Sequence, residues 1–393
     1  MLIAHKIALD PNNVQATYFA KAAGTARFAY NWALAEWKRQ YEEWKADNSK
    51  PKPSEASLRR QLNAIKREKF PWMLEVTKCA PQIAIMQLGN AFKNFFAGRA
   101  GYPQFRKKGA HDRFTISNDR FSVDGSRIRI PKIGWVRMRE SLRFAGKIMS
   151  ATISRVADRW FVSITVDIPD GPHLPKAENQ GVVGVDLGVS ALATLSTGEV
   201  VDGPKAYKSL LPRLQRLSRS LSRKVKGSEN YKKAKLKLAR LHARIAAIRN
   251  DALHQLTTSL TRRFHTIVVE GLNVRGMLKN RRLARSIADM GFFEFRRQLE
   301  YKAAWRGGTV VVADRFFSSS KTCSDCGHKL ETLPLSVRKW TCPACGSVHD
   351  RDVNAAINLK NLAVSSTVSA CGEEGSGLGH KTQVKPASVK QEA

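Results

Sequence analysis

Three acidic residues that lie far apart in the sequence have the chemistry of a divalent-metal site. Asp186 ends an apolar run that begins at Gly181, Glu270 ends one that begins at Thr266, and Asp352 directly precedes a small-residue helix. Open α/β sheets place their chemistry at strand ends, and Mg²⁺ prefers oxygen ligands. Two Mg²⁺ ions about 3.5–4 Å apart can activate water and steady the leaving oxygen in phosphodiester cleavage. We therefore predict that the three acids are catalytic and bind two Mg²⁺ ions.

Two neighbouring acids compete with Asp352 for the third position. Asp350 lies two residues earlier, and Asp314 follows an apolar strand. Asp352 is favoured because the small side chains of Ala355 and Ala356 let its helix approach a sheet closely. We assign Asp350 to the turn that leaves the cysteine pairs and Asp314 to a surface turn. Strand-end acids can also cap turns or pair with arginine, which is the alternative interpretation for each.

The cysteines indicate a second metal site of a different kind. Six are present, and four form two C-x-x-C pairs separated by fifteen residues, each closed by a glycine, Gly327 or Gly346. This spacing is typical of a tetrahedral zinc ribbon. His328 and His349 lie nearby, but four thiolates complete the shell. We therefore predict one structural Zn²⁺ with four ligands, which are Cys323, Cys326, Cys342 and Cys345.

The charge balance indicates a polyanionic partner. The chain has 67 Lys and Arg against 33 Asp and Glu, a net charge of +34, and the positive residues occur along most of its length. Such an excess is typical of nucleic-acid binding. No stretch resembles a membrane-spanning helix, and residues 1–11 lack the apolar core of a signal peptide. We expect a cytoplasmic protein with no membrane partner.

Periodicity predicts a mixed N-terminal half. The segment Ile3–Leu9 is a predicted strand, and apolar residues spaced near 3.6 predict helices between Val14 and Phe96. Short alternating runs from Phe114 to Ile168 predict closely spaced strands, typical of a small antiparallel barrel or sandwich.

The C-terminal half predicts an α/β core. Two long basic helices are predicted over Tyr207–Leu260, a further helix over about Ser286–Trp305 and a strand over Thr309–Ala313. Together with the strands that end at the first two acids, these elements alternate as in an α/β domain. Residues 363–393 are rich in Ser, Gly and Lys without periodicity, and we predict that they are disordered.

The chain resembles the TnpB (OrfB) family of RNA-guided nucleases encoded by insertion sequences, which is related to compact type V CRISPR effectors. The resemblance covers nearly all of the chain except its tail. It rests on six motifs, which are Arg27–Asn31, Gly101–Arg106, Gly184–Gly188, Val269–Gly276, Ser318–Gly327 and His349–Asn358.

The resemblance implies a multidomain α/β protein with an RNase H-like RuvC nuclease domain whose metal-binding acids are Asp186, Glu270 and Asp352. It also implies a zinc ribbon and an N-terminal oligonucleotide-binding (wedge) β-barrel interrupted by a helical recognition domain. The implied boundaries are 1–12 and 103–172 for the wedge barrel, 13–102 for the recognition domain, 178–318 and 350–362 for the nuclease domain with its basic hairpin 205–262, and 319–349 for the zinc ribbon.

The resemblance further implies the partners. A guide RNA from the transposon end would direct the protein to double-stranded target DNA beside a short adjacent motif, so that base pairing reads the sequence. Three alternatives remain. A nuclease-inactive RNA-guided repressor would have lost one or more of the acids, and a compact type V CRISPR effector would be encoded beside a repeat array. A structure-specific nuclease without a guide would not need the basic N-terminal half.

Overall fold

The computed structural model describes residues 1–110 and 112–371, with side chains to residue 365. Contacts divide the chain into two compact units. The first comprises Met1–Gly171 and Pro212–Arg244, and the second comprises Pro172–Leu211 and Ile245–Ala393. Within the described ranges, no helix has both the length and the apolar character that crossing a membrane requires.

The first unit begins with strand β1 and continues with helices. Strand β1 spans Leu2–Asp10, and the helices are α1 (Asn13–Ala46), α2 (Glu55–Lys69) and α3 (Cys79–Phe96), with a short 3₁₀ helix at Pro71–Glu75. A capping box starts α1, because the Asn12 side chain accepts from the Gln15 backbone N–H and the Gln15 side chain accepts from the Asn12 backbone N–H. These elements confirm the predicted strand and the predicted helices.

Six further strands of this unit join β1 in one antiparallel sheet. They are β2 (Arg113–Ser117), β3 (Ser122–Asp124), β4 (Arg127–Ile130), β5 (Gly134–Met138), β6 (Lys147–Val156) and β7 (Arg159–Asp167). The order is β2-β6-β7-β1-β5-β4-β3. Alternate residues of β7 are buried, namely Trp160, Val162, Ile164 and Val166, as expected for a sheet with one face on a core. The predicted run of short strands is confirmed.

Two long helices follow at the predicted positions. Helix α4 spans Ala206–Ser222 and α5 spans Glu229–Arg263. The resemblance implies that the whole hairpin 205–262 belongs to the nuclease domain, whereas contacts assign Pro212–Arg244 to the first unit. Within that unit, Arg240 Nη2 lies 2.6 Å from Asp158 Oδ2 in the β6–β7 turn.

The second unit is built on a five-stranded mixed sheet. Its strands are β8 (Asn179–Asp186), β9 (Ala193–Leu195), β10 (Val200–Val201), β11 (Phe264–Val269) and β12 (Thr309–Val312), in the order β10-β9-β8-β11-β12. Strands β8, β11 and β12 run parallel. One core includes Val185, Leu260, Phe295 and Leu299. The parallel strands confirm the predicted α/β core.

A glycine breaks the helix that the sequence predicts over Ser286–Trp305, so that prediction is wrong in detail. After a short helix α6 (Val274–Met277), the chain forms α7 (Ala284–Met290) and then α8 (Phe292–Trp305). Gly291 between them has φ 71°, a left-handed conformation that ends α7 and that glycine adopts at little cost. Periodicity continues through this residue because both short helices bury apolar faces.

The C-terminal elements are the hairpin of β13 (Lys339–Thr341) with β14 (Val348–Asp350) and helix α9 (Arg351–Cys371). The predicted start of disorder at residue 363 is therefore wrong, because α9 continues through residues 363–371. Ala363 is buried in a small core with Val268, Ala313 and Leu359, which favours helix at that point. Residues 372–393, the rest of the predicted tail, lie outside the described residues.

Candidate active site and metal centre

Asp186 and Glu270 leave the sheet side by side. Asp186 is the last residue of β8, and Glu270 directly follows β11. The two strands are parallel neighbours in which Val185 pairs with Val269, so the next residue of each lies at the same edge of the sheet. This edge is the carboxyl end of the parallel strands, where α/β sheets place their functional groups.

Asp352 reaches the same strand from helix α9. It lies in the first turn of α9, and that helix packs directly on β8. Gly184 permits this approach, because a Cβ atom there would lie 1.9 Å from the carbonyl oxygen of Ala356. Ala356 is itself fully buried. The small residues that favoured Asp352 in the sequence therefore form the helix–strand contact.

The two competing acids have other roles. Asp350 Oδ1 lies 3.1 Å from the backbone nitrogens of Asp352 and Val353, both of which donate to it. It thus caps the start of α9. Asp314 is exposed, and its Oδ1 accepts from the backbone N–H of Phe316 at 2.8 Å in a turn. The surface turn predicted for Asp314 agrees with this position, whereas Asp350 ends β14 and caps a helix where the sequence predicted a turn.

The three predicted acids interact electrostatically. Burial, followed by the negative charges of Glu270 and Asp352, raises the pKa of the Asp186 carboxyl to about 8, against an opposing effect of Arg351. Among the described residues, however, the sets of three or more ligand atoms within 4.8 Å of one another all contain cysteine. The carboxylates therefore repel one another but are spaced more widely than one shared ion requires.

Two neighbours that the sequence did not single out hold these acids. Ser319 is buried, and its hydroxyl donates to Glu270 Oε1 at 2.7 Å. Arg338 Nη1 lies 3.3 Å from both Asp352 carboxylate oxygens, and its Nη2 lies 3.4 Å from Ser190 Oγ. Ser319 belongs to the Ser318–Gly327 motif, which was a usable signal, whereas nothing in the sequence distinguishes Arg338 from other arginines.

The four cysteines form a compact cluster. Their Sγ atoms all lie within 4.8 Å of one another. Cys323 Sγ is 3.7 Å from Cys345 Sγ, and Cys326 Sγ is 3.6 Å from Cys342 Sγ. A tetrahedral zinc with Zn–S bonds of about 2.3 Å requires S···S separations of about 3.8 Å. The four cysteines thus fit a tetrahedral ion of this size.

Local hydrogen bonds shape each cysteine turn. Gly327 and Gly346 have φ of 78° and 76°, and their backbone N–H groups donate to the carbonyls of Cys323 and Cys342. Hydrogen bonding with the Ser347 side chain and backbone, and then with Cys326, lowers the pKa of the Cys345 thiol to about 6. This environment favours the thiolate, which is the form that binds metal.

His349 lies against the cluster. It is buried, and its Nε2 lies 3.0 Å from Cys323 Sγ. Its ring also packs on Trp340 with 4.8 Å between centroids. Hydrogen bonds to the ligands orient them around a metal. We therefore interpret His349 as a hydrogen-bond donor to the cluster, as the sequence expectation of four thiolate ligands requires.

Two asparagines tie the cysteine cluster to the helix that carries Asp352. Asn354 Oδ1 accepts from the Ser324 backbone N–H at 2.9 Å, and its Nδ2 donates to the Thr322 carbonyl at 2.7 Å. Asn358 Nδ2 donates to the carbonyls of Ser319 and Thr322 at 2.7 and 2.6 Å. Both asparagines are buried. These hydrogen bonds therefore fix the segment from Ser319 to the first cysteine pair against α9, the helix that carries Asp352.

Comparison with known proteins decides the family. A protein of Streptomyces pristinaespiralis named "Putative RNA-guided DNA endonuclease" is 39% identical over 99% of this chain and 96% of its own length. The chain belongs to the TnpB (OrfB) family. A second relative, "Putative RNA-guided DNA endonuclease InsQ" of Escherichia coli (strain K12), is 37% identical over 95% of this chain and 94% of its own length.

Family models and solved structures agree with this membership. Residues 162–281 match a model described as "Probable transposase", 292–359 match "Cas12f1-like, TNB domain", and 1–46 match "Helix-turn-helix domain". In this structure the last range forms β1 and the single helix α1. A cryo-EM structure of a Cas12f1–sgRNA–target DNA complex shares the fold, with a TM-score of 0.54 and 15% identity over 89% of this chain and 83% of that one.

Proposed function

We propose that this TnpB-family protein is an RNA-guided DNA endonuclease of an insertion sequence that cuts target DNA beside a short adjacent motif. One observation carries the catalytic part of this proposal. Asp186 and Glu270 lie at the ends of neighbouring parallel strands, and the helix that carries Asp352 in its first turn packs on the first of those strands. The names of the two full-length relatives support the guided part.

We propose that three acids of a RuvC-type site hold two Mg²⁺ ions. Asp186 would bridge the ions, with Glu270 on one and Asp352 on the other. Bound Mg²⁺ supplies an activated water and stabilises the charge that develops on the leaving oxygen. The raised pKa of Asp186 supports the assignment, because a buried group of acids favours bound cations. Ser319 orients Glu270 through its hydrogen bond to Oε1.

We propose that the cysteine cluster binds one Zn²⁺ with a structural role. Four thiolates leave no open position for a substrate. The sulfur spacing fits zinc, and the two asparagines of α9 link the cluster to the carboxylate site. Zinc would therefore stabilise the segment that places Ser319 and Asp352.

We further propose that the domains follow the boundaries implied by the family. Residues 1–12 and 103–172 would form the wedge barrel, 13–102 the helical recognition domain, 178–318 with 350–362 the RuvC domain, and 319–349 the zinc ribbon. The single sheet of β1–β7, with α1–α3 inserted after β1, supports this division. We propose that the Lys and Arg residues of the chain bind guide RNA and double-stranded target DNA. We also propose that the protein acts in the cytoplasm, where both partners are found.

A nuclease-inactive repressor is the second candidate in another class. The presence of Asp186, Glu270 and Asp352 argues against it, because such a protein needs no set of metal-binding acids. A type V CRISPR effector would share the same chemistry and would differ in the origin of its guide.

Cleavage by the purified complex tests the proposal. The full chain, purified with its native transcript, should linearise a plasmid that matches the guide when Mg²⁺ is present. Asp186→Ala should abolish cutting and leave RNA binding unchanged, as measured by the RNA that copurifies. Equal cutting by the Asp186→Ala protein would exclude the carboxylate site, and equal cutting after the RNA is removed would exclude the guide.

A further inference from the structure

A second set of metal-binding side chains lies against the cysteine cluster. It consists of the Cys323 thiol, the Asp325 carboxylate and the His349 imidazole, whose ligand atoms all lie within 4.8 Å of one another. Cys323 belongs to this set and also to the cluster of four cysteines, whereas Asp325 and His349 belong to this set alone. The two groups of ligand atoms therefore meet at one sulfur atom.

Two separate elements bring these side chains together. Asp325 lies inside the first cysteine turn, in which the Gly327 backbone N–H donates to the Cys323 carbonyl at 3.0 Å. His349 lies on β14 opposite Trp340 of β13, and the two rings pack at 4.8 Å between centroids. The turn thus places the carboxylate and the hairpin places the imidazole, so that neither position depends on the other.

The cysteine cluster does not require the Asp325 carboxylate. Four thiolates already complete a tetrahedral shell. Asp325 is exposed, and its Oδ1 lies 3.4 Å from the Ser324 hydroxyl, which is long for a hydrogen bond between oxygens. The structure of the turn therefore explains the two cysteines and the glycine, but not the acid between them.

Charge favours a second cation at this position. Four thiolates carry twice the charge of one Zn²⁺, so the filled cluster stays anionic, and the Asp325 carboxylate adds a further negative charge. Negative groups this close favour a bound cation. A basic side chain would also offset the charge, but the group that meets Asp325 and Cys323 here is His349, whose neutral imidazole is a common metal ligand.

The donor set suits zinc. Thiolate, imidazole and carboxylate are its usual ligands, and sites with three protein ligands keep a fourth position for water. A thiolate that binds one zinc ion retains lone pairs and can bind a second. Cys323 Sγ and His349 Nε2 lie 3.0 Å apart, as in a hydrogen bond. A shared tetrahedral zinc needs about 3.5 Å, so the imidazole would lose its Nε2 proton and move back by about 0.5 Å.

We propose that Cys323, Asp325 and His349 form a second zinc site in which Cys323 Sγ bridges the two ions. The inference rests on the proposed cysteine-bound zinc and not on DNA cleavage. This set has one thiolate, and that thiolate is shared, so the second site fills only at higher free zinc than the first. At low free zinc the protein holds one ion, and His349 keeps its hydrogen bond to Cys323. Exposed Asp325 gives the second ion access from solvent.

Equilibrium zinc binding tests the proposal. The full chain with its RNA carries Asp186→Ala and is kept in excess Mg²⁺, so that the carboxylate edge and the RNA phosphates bind little zinc. Zinc per chain is measured by mass spectrometry of the metal over a range of buffered free Zn²⁺. We expect two steps, first to one ion and then to two. Asp325→Ala should leave the first step unchanged and weaken the second by at least about 100-fold, because a lost ligand costs more than the 10–100-fold typical of a lost partner behind a ligand.

Matched variants control this experiment. Glu331→Ala removes another exposed carboxylate between the two cysteine pairs, and His328→Gln removes an exposed imidazole that lies outside the set. Both should keep two steps, whereas His349→Gln should lose the second. A parent protein that stops at one ion would overturn the inference and leave the cysteine cluster standing, as would an Asp325→Ala protein that still fills both steps equally well. A parent protein that binds no zinc would overturn both.

Cobalt substitution tests the shared sulfur. Co²⁺ takes the place of Zn²⁺ in tetrahedral sites and is visible by absorption and by electron paramagnetic resonance. The first equivalent should give a four-thiolate spectrum, and the second should add a weaker thiolate band. Because two Co²⁺ ions joined by Cys323 Sγ are magnetically coupled, the resonance signal per ion should decrease as the second equivalent binds. Two independent, additive signals would place the second ion elsewhere and overturn the bridging site.

Discussion

The two candidate metal sites of the second unit differ in how completely the protein itself assembles them. The cysteine Sγ atoms already have the spacing of a tetrahedral ion, because short turns with left-handed glycines position them. The carboxyl groups come from two strands and a helix, and burial together with the charges of Glu270 and Asp352 raises the pKa of Asp186. Ser319 and Arg338 occupy oxygens of Glu270 and Asp352.

This difference indicates that the cysteine site stabilises the metal-bound protein, whereas the carboxylate site destabilises the metal-free protein. Like charges that are buried together cost free energy until a cation neutralises them. Thiolates in preformed turns gain free energy when zinc binds, and that gain becomes folding free energy. Removing a ligand should therefore have opposite effects on stability at the two sites.

The largest effect is expected from Asp186→Asn. Cutting should fall by at least about 10²–10³-fold, the loss typical of removing one group that stabilises the transition state. The melting temperature of the metal-free protein should rise at neutral pH, because the Asp186 carboxyl must take up a proton on folding whereas Asn carries no charge in either state. Single-turnover cleavage and thermal unfolding in EDTA measure both. A variant that unfolds at a lower temperature would show that the buried Asp186 carboxyl does not destabilise the metal-free fold.

Cys342→Ser should have the opposite effect on stability. Zinc content, measured by mass spectrometry of the metal, should fall from one ion per chain to none, and the segment around the cluster should unfold at lower temperature. Cys79→Ser is the matched control, because Cys79 is also buried but lies on α3 in the first unit. Equal zinc content in the two variants would remove the assignment of the cluster as a zinc site.

The sequence predicted these two sites unequally, for physical reasons. Cysteine turns are local, so the spacing of Cys323, Cys326, Cys342 and Cys345 was enough to predict the cluster. The sequence predicted Asp186 and Glu270 at strand ends and Asp352 at a helix start, but not the geometry that joins them. Asn354 and Asn358 lie in the His349–Asn358 motif, but their hydrogen bonds reach a separate segment and could not be predicted from it. No local pattern marks Arg338. The position of Gly291 was visible, but its left-handed conformation depends on the packing of two short helices.

The pH dependence of stability sharpens the comparison. The folded-state pKa of Asp186 is about 8, above its ordinary value of 3.8, so the folded protein binds this proton more tightly than the unfolded chain. Stability of the metal-free protein should therefore decrease as pH rises from about 4 to about 8, by at least about 2 kcal/mol given about 1.4 kcal/mol per pKa unit.

Asp186→Asn separates this contribution from the other titrating groups. Unfolding in EDTA is measured between pH 5 and 8.5 for both proteins, and the difference between the two curves should decline with pH. With saturating Mg²⁺ the decline should disappear, because bound cations replace the proton. A difference that stays flat in EDTA would show that Asp186 titrates normally.

Ser319→Ala should have a smaller effect that acts through Glu270. The lost hydrogen bond contributes about 1 kcal/mol, so we expect about a fivefold increase in the Mg²⁺ concentration for half-maximal cutting. Ser318→Ala is the matched control on the adjacent residue. The same increase in both variants would indicate a general loosening of the loop and not the loss of the bond to Glu270 Oε1.

The smallest effect is expected from Arg338→Met. Its guanidinium pairs with Asp352 in a partly exposed contact, and such pairs contribute about 0–1 kcal/mol. Because a cation and Arg338 compete for the same two oxygens, the Mg²⁺ concentration for half of the thermal stabilisation should decrease by about two- to fivefold. Arg262→Met, which breaks the exposed pair with Glu178 in the same unit, should leave it unchanged. A higher Mg²⁺ concentration for half-stabilisation in Arg338→Met would mean that the arginine favours the metal-bound state. The carboxylate site would then resemble the cysteine cluster, because its neighbours would position it to bind metal.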